Sequence, residues 1–417
     1  MFEGHVTTNC MSCVYDIPNT GGQLETFKMG ELFCGPGGLA RGAERSNQLA
    51  AGIGLEARIN HAWANDYDRD TCNTYKRNVL GASDDTVFCA DVRGLDLNQV
   101  PEYDALTFGF PCNDFSTVGL RQGFQGEYGP LFTYGIQALK KHKPRWFLAE
   151  NVGGLRGTQG GDELREILRR MAQAGYNVTP HLYKFEEYGV PQARHRIIII
   201  GIRRDEGLRF KVPAPTHSRE NFVTCKSALE KSYEPETANR EKTKMSPKVV
   251  RRLEHTRPGE NVFQMQARLG DKIPEEIRLN VKGATLSQIY KKLDPERPAY
   301  TITGSGGGGT HVYHWSENRS LTNRERARLQ TFPDDHVFEG KRESVRRQVG
   351  MAVPPEGVAP IFLAIMKTFA RTSYDSVPAN IVMPQESDLL DDWFSSNNQT
   401  VLLSSIERPR EHVSLSL

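Results

Sequence analysis

Between Thr26 and Gly201, short apolar runs alternate with stretches whose apolar residues recur every three or four positions. The runs Lys28–Phe33, His61–Asn65, Thr86–Ala90, Ala105–Phe108, Trp146–Ala149 and Ile197–Ile202 predict strands. The stretches Gly38–Ala50, Arg69–Val79, Leu131–His142 and Asp162–Ala174 predict helices. In the last of these, Leu164, Ile167, Leu168 and Met171 share one face, and Gly175 follows as a stop signal. Such alternation predicts an α/β fold, a mostly parallel sheet with helices on both faces. Residues 203–300 lose the rhythm. They are rich in Pro, Lys, Arg and Glu with no clean period, and read as a separate small domain or a large insertion. The alternation then resumes. Thr322-Asn-Arg-Glu325 has the form of a capping box opening a helix through Gln330, and Gly357–Phe369 reads as an apolar helix. The expected division is a flexible leader (1–27), a large domain (28–202), the irregular segment (203–300), the rest of the large domain with a hinge (301–370) and a flexible acidic tail (371–417).

Charge sharpens this picture. The 417 residues carry a formal net charge of +2, which excludes a histone-like polycation and a wholly acidic disordered chain. The balance is uneven, however. Residues 203–300 hold 21 Lys/Arg against 14 Asp/Glu, and residues 371–417 hold 3 against 7. A basic insert in a balanced chain points to an anionic partner, nucleic acid first, with Lys248, Arg251 and Arg252 among the candidate phosphate contacts. An ordinary solvated surface explains the charge about as well. The longest apolar runs fall far below the roughly 20 residues that span a bilayer, so no membrane is expected. The first residues, MFEGHVTTNCMSC, lack the basic flank and apolar stretch of a secretory signal. Seven scattered cysteines fit free thiols in a reducing cytoplasm. Cys10 and Cys13 form a lone C-x-x-C with no second pair, so no metal is expected.

Four stretches carry candidate chemistry. Glu31-Leu-Phe33-Cys-Gly35-Pro-Gly37-Gly38 follows a strand and opens a helix, where glycines allow close backbone approach and the helix end favours an anion. Asp66, beside Tyr67, and Asp91 end the next two strands. A glycine turn and two acids at successive strand ends suggest a nucleoside-containing cofactor at the carboxyl edge of the sheet; a tight turn with capping acids would look the same. Pro111-Cys112-Asn113-Asp114-Phe115-Ser116 places a thiol in a turn after a strand, where it can be exposed and activated. Trp146-Phe-Leu-Ala-Glu150-Asn151 delivers one carboxylate to the sheet edge, a place for a general acid. Gln192-Ala-Arg194-His-Arg196 leads into an apolar strand, and alternation puts its amide and two cations on one face.

Together and in this order, these stretches resemble the DNA (cytosine-5) methyltransferase family of prokaryotic modification type. The likeness continues through Thr301-Ile-Thr-Gly-Ser-Gly, Arg324-Glu-Arg-Ala-Arg-Leu-Gln-Thr-Phe-Pro-Asp334 and Gly350-Met-Ala-Val-Pro-Pro355. It covers about residues 28–202 and 300–370. The fold it implies is a Rossmann-like S-adenosylmethionine-dependent methyltransferase sheet with a smaller target-recognition domain. The activity it implies is methylation of carbon 5 of a cytosine flipped out of double-stranded DNA, through a covalent Cys adduct. By this resemblance Cys112 is the nucleophile, Glu150 meets ring nitrogen 3, Arg194 holds the cytosine carbonyl oxygen, and Arg196 joins the catalytic set. Ser116, Asn151 and Gln192 support the loop or touch DNA. Phe33, Gly35, Gly37, Gly38 and Pro111 line S-adenosylmethionine, Asp66 binds its ribose, Tyr67 covers its adenine and Asp91 touches the adenine amino group. The resemblance also implies a monomer in the cytoplasm, partnered by a restriction endonuclease acting on the same site. The chain departs from the family at Asn113, where Gln is usual, and at Met351, where Asn is usual. Two other readings fit the residues: a tRNA cytosine methyltransferase, and a catalytically silent DNA-binding relative.

Overall fold

The computed structural model describes residues 24–110, 131–152, 161–279, 288–304 and 308–383. The large domain is built in chain order from β1 (Glu25–Leu32), α1 (Gly38–Gly52), β2 (Ala57–Asp66), α2 (Arg69–Asn78), β3 (Val87–Cys89), β4 (Ala105–Gly109), α3 (Phe132–His142), β5 (Trp146–Val152), α4 (Asp162–Gln173) and β6 (Tyr176–Lys184). A two-residue β7 (Gln192–Ala193) leads into β8 (His195–Arg203). The seven-stranded sheet runs β3-β2-β1-β4-β5-β8-β6. Its first five strands are parallel, and β8 runs antiparallel to both β5 and β6.

Strand order reverses between β1 and β4. In such sheets the chain departs to opposite faces on either side of that point and leaves a crevice beyond the carboxyl ends of the strands. Apolar side chains fix the layers. Leu39, Ala40, Ala43 and Tyr75 cover one face together with Val358, Ile361 and Phe362 of α10 (Pro355–Phe369). Phe132, Ile136, Leu139, Leu164, Ile167 and Leu168 of α3 and α4 cover the other. The predicted apolar helix thus returns to the amino-terminal half, and α1 meets it closely: a Cβ on Gly42 would stand 2.2 Å from Val358. Arg342–Phe369 is the most apolar helical stretch among the described residues. Of its most apolar window, 78% is buried inside the protein, as in a core helix.

Two elements escaped the hydrophobic pattern. β6 interrupts its apolar positions with Asn177, Thr179, Pro180 and His181. It is an edge strand, where proline and polar side chains are tolerated because one side pairs with nothing. The helix α9 (Arg342–Met351) buries Val345 and Val349 in a small cluster rather than on a long stripe. The capping box is present, with Thr322 bonded to Glu325 at the start of α8 (Asn323–Leu329).

Residues 203–300 form short elements: β9 (Val212–Pro213), α5 (Cys225–Leu229), α6 (Pro247–His255), α7 (Val262–Leu269) and β10 (Ala299–Tyr300). Val262, Met265, Ile273, Ile277 and Ile289 make one apolar cluster. A second joins Cys225, Leu229, Leu293 and Ala299 to Ile302, Val312, Leu321 and Leu329, so the core of this region continues past residue 300.

Where the sequence suggests a flexible tail, residues 371–383 are docked. β11 (Ser376–Val377) pairs with β9, and the Tyr374 hydroxyl donates to Lys211 O at 2.9 Å. Asn380 accepts from Leu182 N at 2.8 Å and donates to Leu182 O at 3.0 Å. Its amide thereby fills part of the open edge of β6. The leader 1–23, with Cys10 and Cys13, and residues 384–417 lie outside the described residues.

Candidate active site

The crevice at the β1/β4 reversal holds the glycine turn. Phe33, Gly35 and Gly37 have φ of 55°, 58° and 91°. The turn is tied to β2 by Cys34 N donating to Asn65 O (2.9 Å) and Gly35 N donating to the Asp66 carboxylate (3.0 Å). A Cβ on Gly35 would meet nothing within 4 Å, so the backbone there borders open space. Gly38 has a different role: its Cβ would fall 2.3 Å from Val353 O, so it lets α1 begin against the segment leading to α10. Asp66 also accepts from Asp68 N at 3.0 Å. Burial raises the Asp66 pKa, and the backbone donors oppose the rise. Tyr67, next to it, is 72% exposed.

Asp91 caps a short helical turn, accepting from Arg93 N at 2.9 Å, and the Arg93 guanidinium grips the same carboxylate at 2.6 Å. Leu32, Val92, Arg93, Leu95, Leu97, Tyr134 and Gln137 line a cavity of about 220 Å³. The sequence singled out none of these seven. Val92 and Arg93 were within reach as neighbours of Asp91, but Tyr134 and Gln137 arrive only through the packing of α3. A larger open depression of about 500 Å³ lies along α2, lined by Asn73, Lys76 and Arg77, away from these groups.

One strand over, register brings the second half together. Gly109 of β4 stands beside Glu150 of β5, and Val152 beside Arg196 of β8. Glu150 is buried, and its carboxylate accepts from Arg196 Nε at 2.9 Å. Asn151 donates to Phe110 O at 3.3 Å, holding the chain where it leaves β4. Pro111, Cys112, Asn113 and Ser116 follow that carbonyl in sequence and lie outside the described residues.

A profile of the C-5 cytosine-specific DNA methylase family matches residues 27–367. The chain belongs to this family. It is 53% identical over 359 residues to the type II methyltransferase M.BbvI of Brevibacillus brevis, covering 84% of this chain and 94% of that one. It is 36% identical over 383 residues to M.NgoFVII of Neisseria gonorrhoeae, covering 90% and 95%. A prophage-encoded Escherichia coli protein described as a DNA modification methyltransferase shares the fold, with a TM-score of 0.63 at 20% identity over 82% of this chain and 99% of that one. The methylase is therefore an enzyme, a DNA (cytosine-5-)-methyltransferase.

In this methylase the two arginines of the Gln-x-Arg-x-Arg stretch part company. Arg196 joins Glu150. Arg194 is 1% exposed and donates to Ile302 O (3.1 Å) and Gly350 O (3.2 Å), while its Nε has no partner. Burial, with the charge of Arg196 close by, pushes the Arg194 pKa well down. Gln192 is fully buried. It donates to Leu329 O and Gln330 Oε1 and accepts from Ile302 N at 2.8 Å. Arg194 and Gln192 thus clamp residues 302, 329–330 and 350 onto the sheet, although alternation predicts one shared face for all three. Replacing Gln192 with Leu leaves two buried backbone groups unpaired and is expected to cost about 2–4 kcal/mol in urea unfolding. Met351 of the methylase is 63% exposed, next to the carbonyl that Arg194 holds. Arg252, a candidate phosphate contact from sequence, is 2% exposed, lies over the Tyr290 ring and donates to Ile277 O. Lys248 and Arg251 are exposed, Arg251 pairing with Glu276.

Proposed function

We propose that the enzyme methylates carbon 5 of a cytosine flipped out of a specific double-stranded DNA sequence, through a transient bond to Cys112, with S-adenosylmethionine as donor. The observation that carries this reading is the Glu150–Arg196 pair, set beside the strand end from which the chain runs to Cys112. Extrusion of the base costs a few kcal/mol, and a pocket offering both a carboxyl and a guanidinium to one ring edge can offset it. Cys112 adds to ring carbon 6. Glu150 shares a proton with ring nitrogen 3, which lowers the barrier to that addition and makes carbon 5 nucleophilic. Arg196, rather than the enclosed Arg194, reaches the base carbonyl and orients Glu150. Once carbon 5 carries the methyl group, loss of its proton to solvent restores the ring double bond and expels the thiolate.

The residues at the β1/β4 crevice fit the donor. The carboxylate of Asp66 is fixed by the backbone donors of Gly35, Tyr67 and Asp68, in place to meet a ribose diol. Tyr67 is largely exposed beside it, where its ring would cover the adenine, and Gly35 leaves room for close approach. When bound, S-adenosylmethionine supplies a methyl group on a sulfonium, the electrophile that carbon 5 needs. Phe33, Gly37 and Asp91 complete its wall; Gly38 acts through packing.

The lobe spanning 203–300, with its exposed Lys248 and Arg251, holds the duplex, giving strongly salt-dependent binding. The setting we infer is a cytoplasmic monomer paired with a restriction endonuclease of the same specificity. Duplex DNA carrying 5-fluorocytosine at the target, incubated with enzyme and S-adenosylmethionine, is expected to give a denaturation-resistant adduct that Cys112→Ser abolishes. Absence of the adduct with the wild-type enzyme on a site it protects from bisulfite conversion would overturn the covalent route. Preference for tRNA over duplex DNA would overturn the substrate.

A further inference from the structure

Three arginines stand at alternate positions of α8, and two of them are fully engaged. Arg324 donates to Ala238 O (3.0 Å), Pro333 O (3.0 Å) and His336 O (2.6 Å). Arg328 donates to Lys231 O (2.6 Å) and Ser232 O (2.8 Å) and pairs with Asp334. Arg326, between them, is 3% exposed, yet its guanidinium meets no carboxylate and donates to no group among the described residues. Burial, together with the charge of Arg346, pushes its pKa down to about 10. Arg346 pairs with Glu343 but buries its Nε without a partner. His311 faces both arginines; burial and their charges lower its pKa to about 4, so its ring is neutral and offers them no anion. Glu343 brings a negative charge to the group, but one already shared with Arg346. Buried cations without partners are costly, and two that repel each other more so. An anion entering between them would remove that cost.

We propose that Arg326 and Arg346 form a preformed slot for one backbone phosphate of the bound duplex, and that the free enzyme is less stable for keeping it empty. This rests on the reading of duplex DNA as substrate. The slot lies where that substrate must pass. Tyr300, close enough to feel the Arg326 charge, opens the segment that Arg194 holds through Ile302 O. The same segment packs on α9, since a Cβ on Gly304 would stand 2.8 Å from Arg347 O. Only a slim group reaches a guanidinium so enclosed, and the planar fork of an arginine matches two phosphate oxygens.

Arg326→Met keeps an unbranched apolar stem and removes the charge. Two opposite changes are expected. The urea midpoint of the free enzyme rises, because a buried unpaired cation is gone. Duplex binding at low salt, read by fluorescence anisotropy, weakens about tenfold on target and unrelated sequences alike, and its salt slope becomes shallower by about one. Arg346→Met should shift the slope in the same direction, while S-adenosylhomocysteine binds both variants within threefold of wild type. Neutral methylphosphonates placed one at a time along the duplex should then find one position that weakens wild type about tenfold and Arg326→Met less than twofold. A lower urea midpoint in Arg326→Met would make the residue a structural one and overturn the proposal. Unchanged duplex affinity and slope would also overturn it; inorganic phosphate that still raised the midpoint of wild type alone, at matched ionic strength, would then mark a site for a free anion. Wild-type enzyme that binds no duplex would overturn the substrate reading, and this inference with it.

Discussion

Replacing Glu150 with Gln is expected to slow methyl transfer by 10²- to 10⁴-fold under single-turnover conditions, the usual range for loss of a positioned acid–base group. The substitution is nearly isosteric, and a Gln oxygen still accepts from Arg196, so the β5–β8 register and the fold are retained. What disappears is the shared proton at ring nitrogen 3. Adduct formation should slow by the same factor as methylation, because both pass through addition at carbon 6. Binding of S-adenosylhomocysteine should be unaffected, since no group at the glycine turn bonds to Glu150. A rate within threefold of wild type would mean that this carboxyl does not serve the chemistry. Ala is a poorer probe: it strands Arg196 without a partner, and the loss would mix chemistry with misplacement.

The second large effect concerns Glu31, on β1 directly before the glycine turn. Its side chain is fully buried and neither carboxylate oxygen has a partner of good geometry. Burial pushes its pKa up to about 8; the Thr107 hydroxyl works against the rise and the charge of Asp66 adds to it. The folded state therefore keeps a proton that the unfolded chain releases near pH 4.5. Stability falls as pH rises between those two values and levels off above the higher one. Glu31→Gln removes the liability. Its advantage should be small at pH 5, grow by about 1.4 kcal/mol per unit, and reach on the order of 3–5 kcal/mol by pH 9. Urea unfolding at pH 5, 7 and 9 measures it. A constant difference between the two proteins across that range would show that Glu31 is ionised in the fold.

Much of the large domain is legible because its central strands contain short apolar runs, Ala105–Phe108, Trp146–Ala149 and Ile197–Ile202 among them, separated by helical periodicity, so the order of strands and helices can be read from the sequence. Asp66 closes β2 as its run implies, whereas Asp91 follows β3 by two residues and Glu150 lies two residues inside the end of β5. The pairing of Glu150 with Arg196 is not legible, since it depends on β8 running antiparallel to β5, which local pattern does not encode. The separation of Arg194 from Arg196 is hidden for a similar reason: the carbonyls that Arg194 holds belong to residues 108 and 156 positions further on. Gly38 looks like a ligand-facing glycine until Val353 is seen against it. β6 fails the pattern test because an edge strand has no need to be apolar throughout.

The amide of Asn380 against Leu182 has a practical corollary. The family profile stops at residue 367, well before that contact. A shortened recombinant fragment trimmed to the profile would strip the sheet of its outermost cover, leaving backbone groups of β6 ready to zip onto a second molecule, and such a fragment would self-associate for reasons unrelated to catalysis.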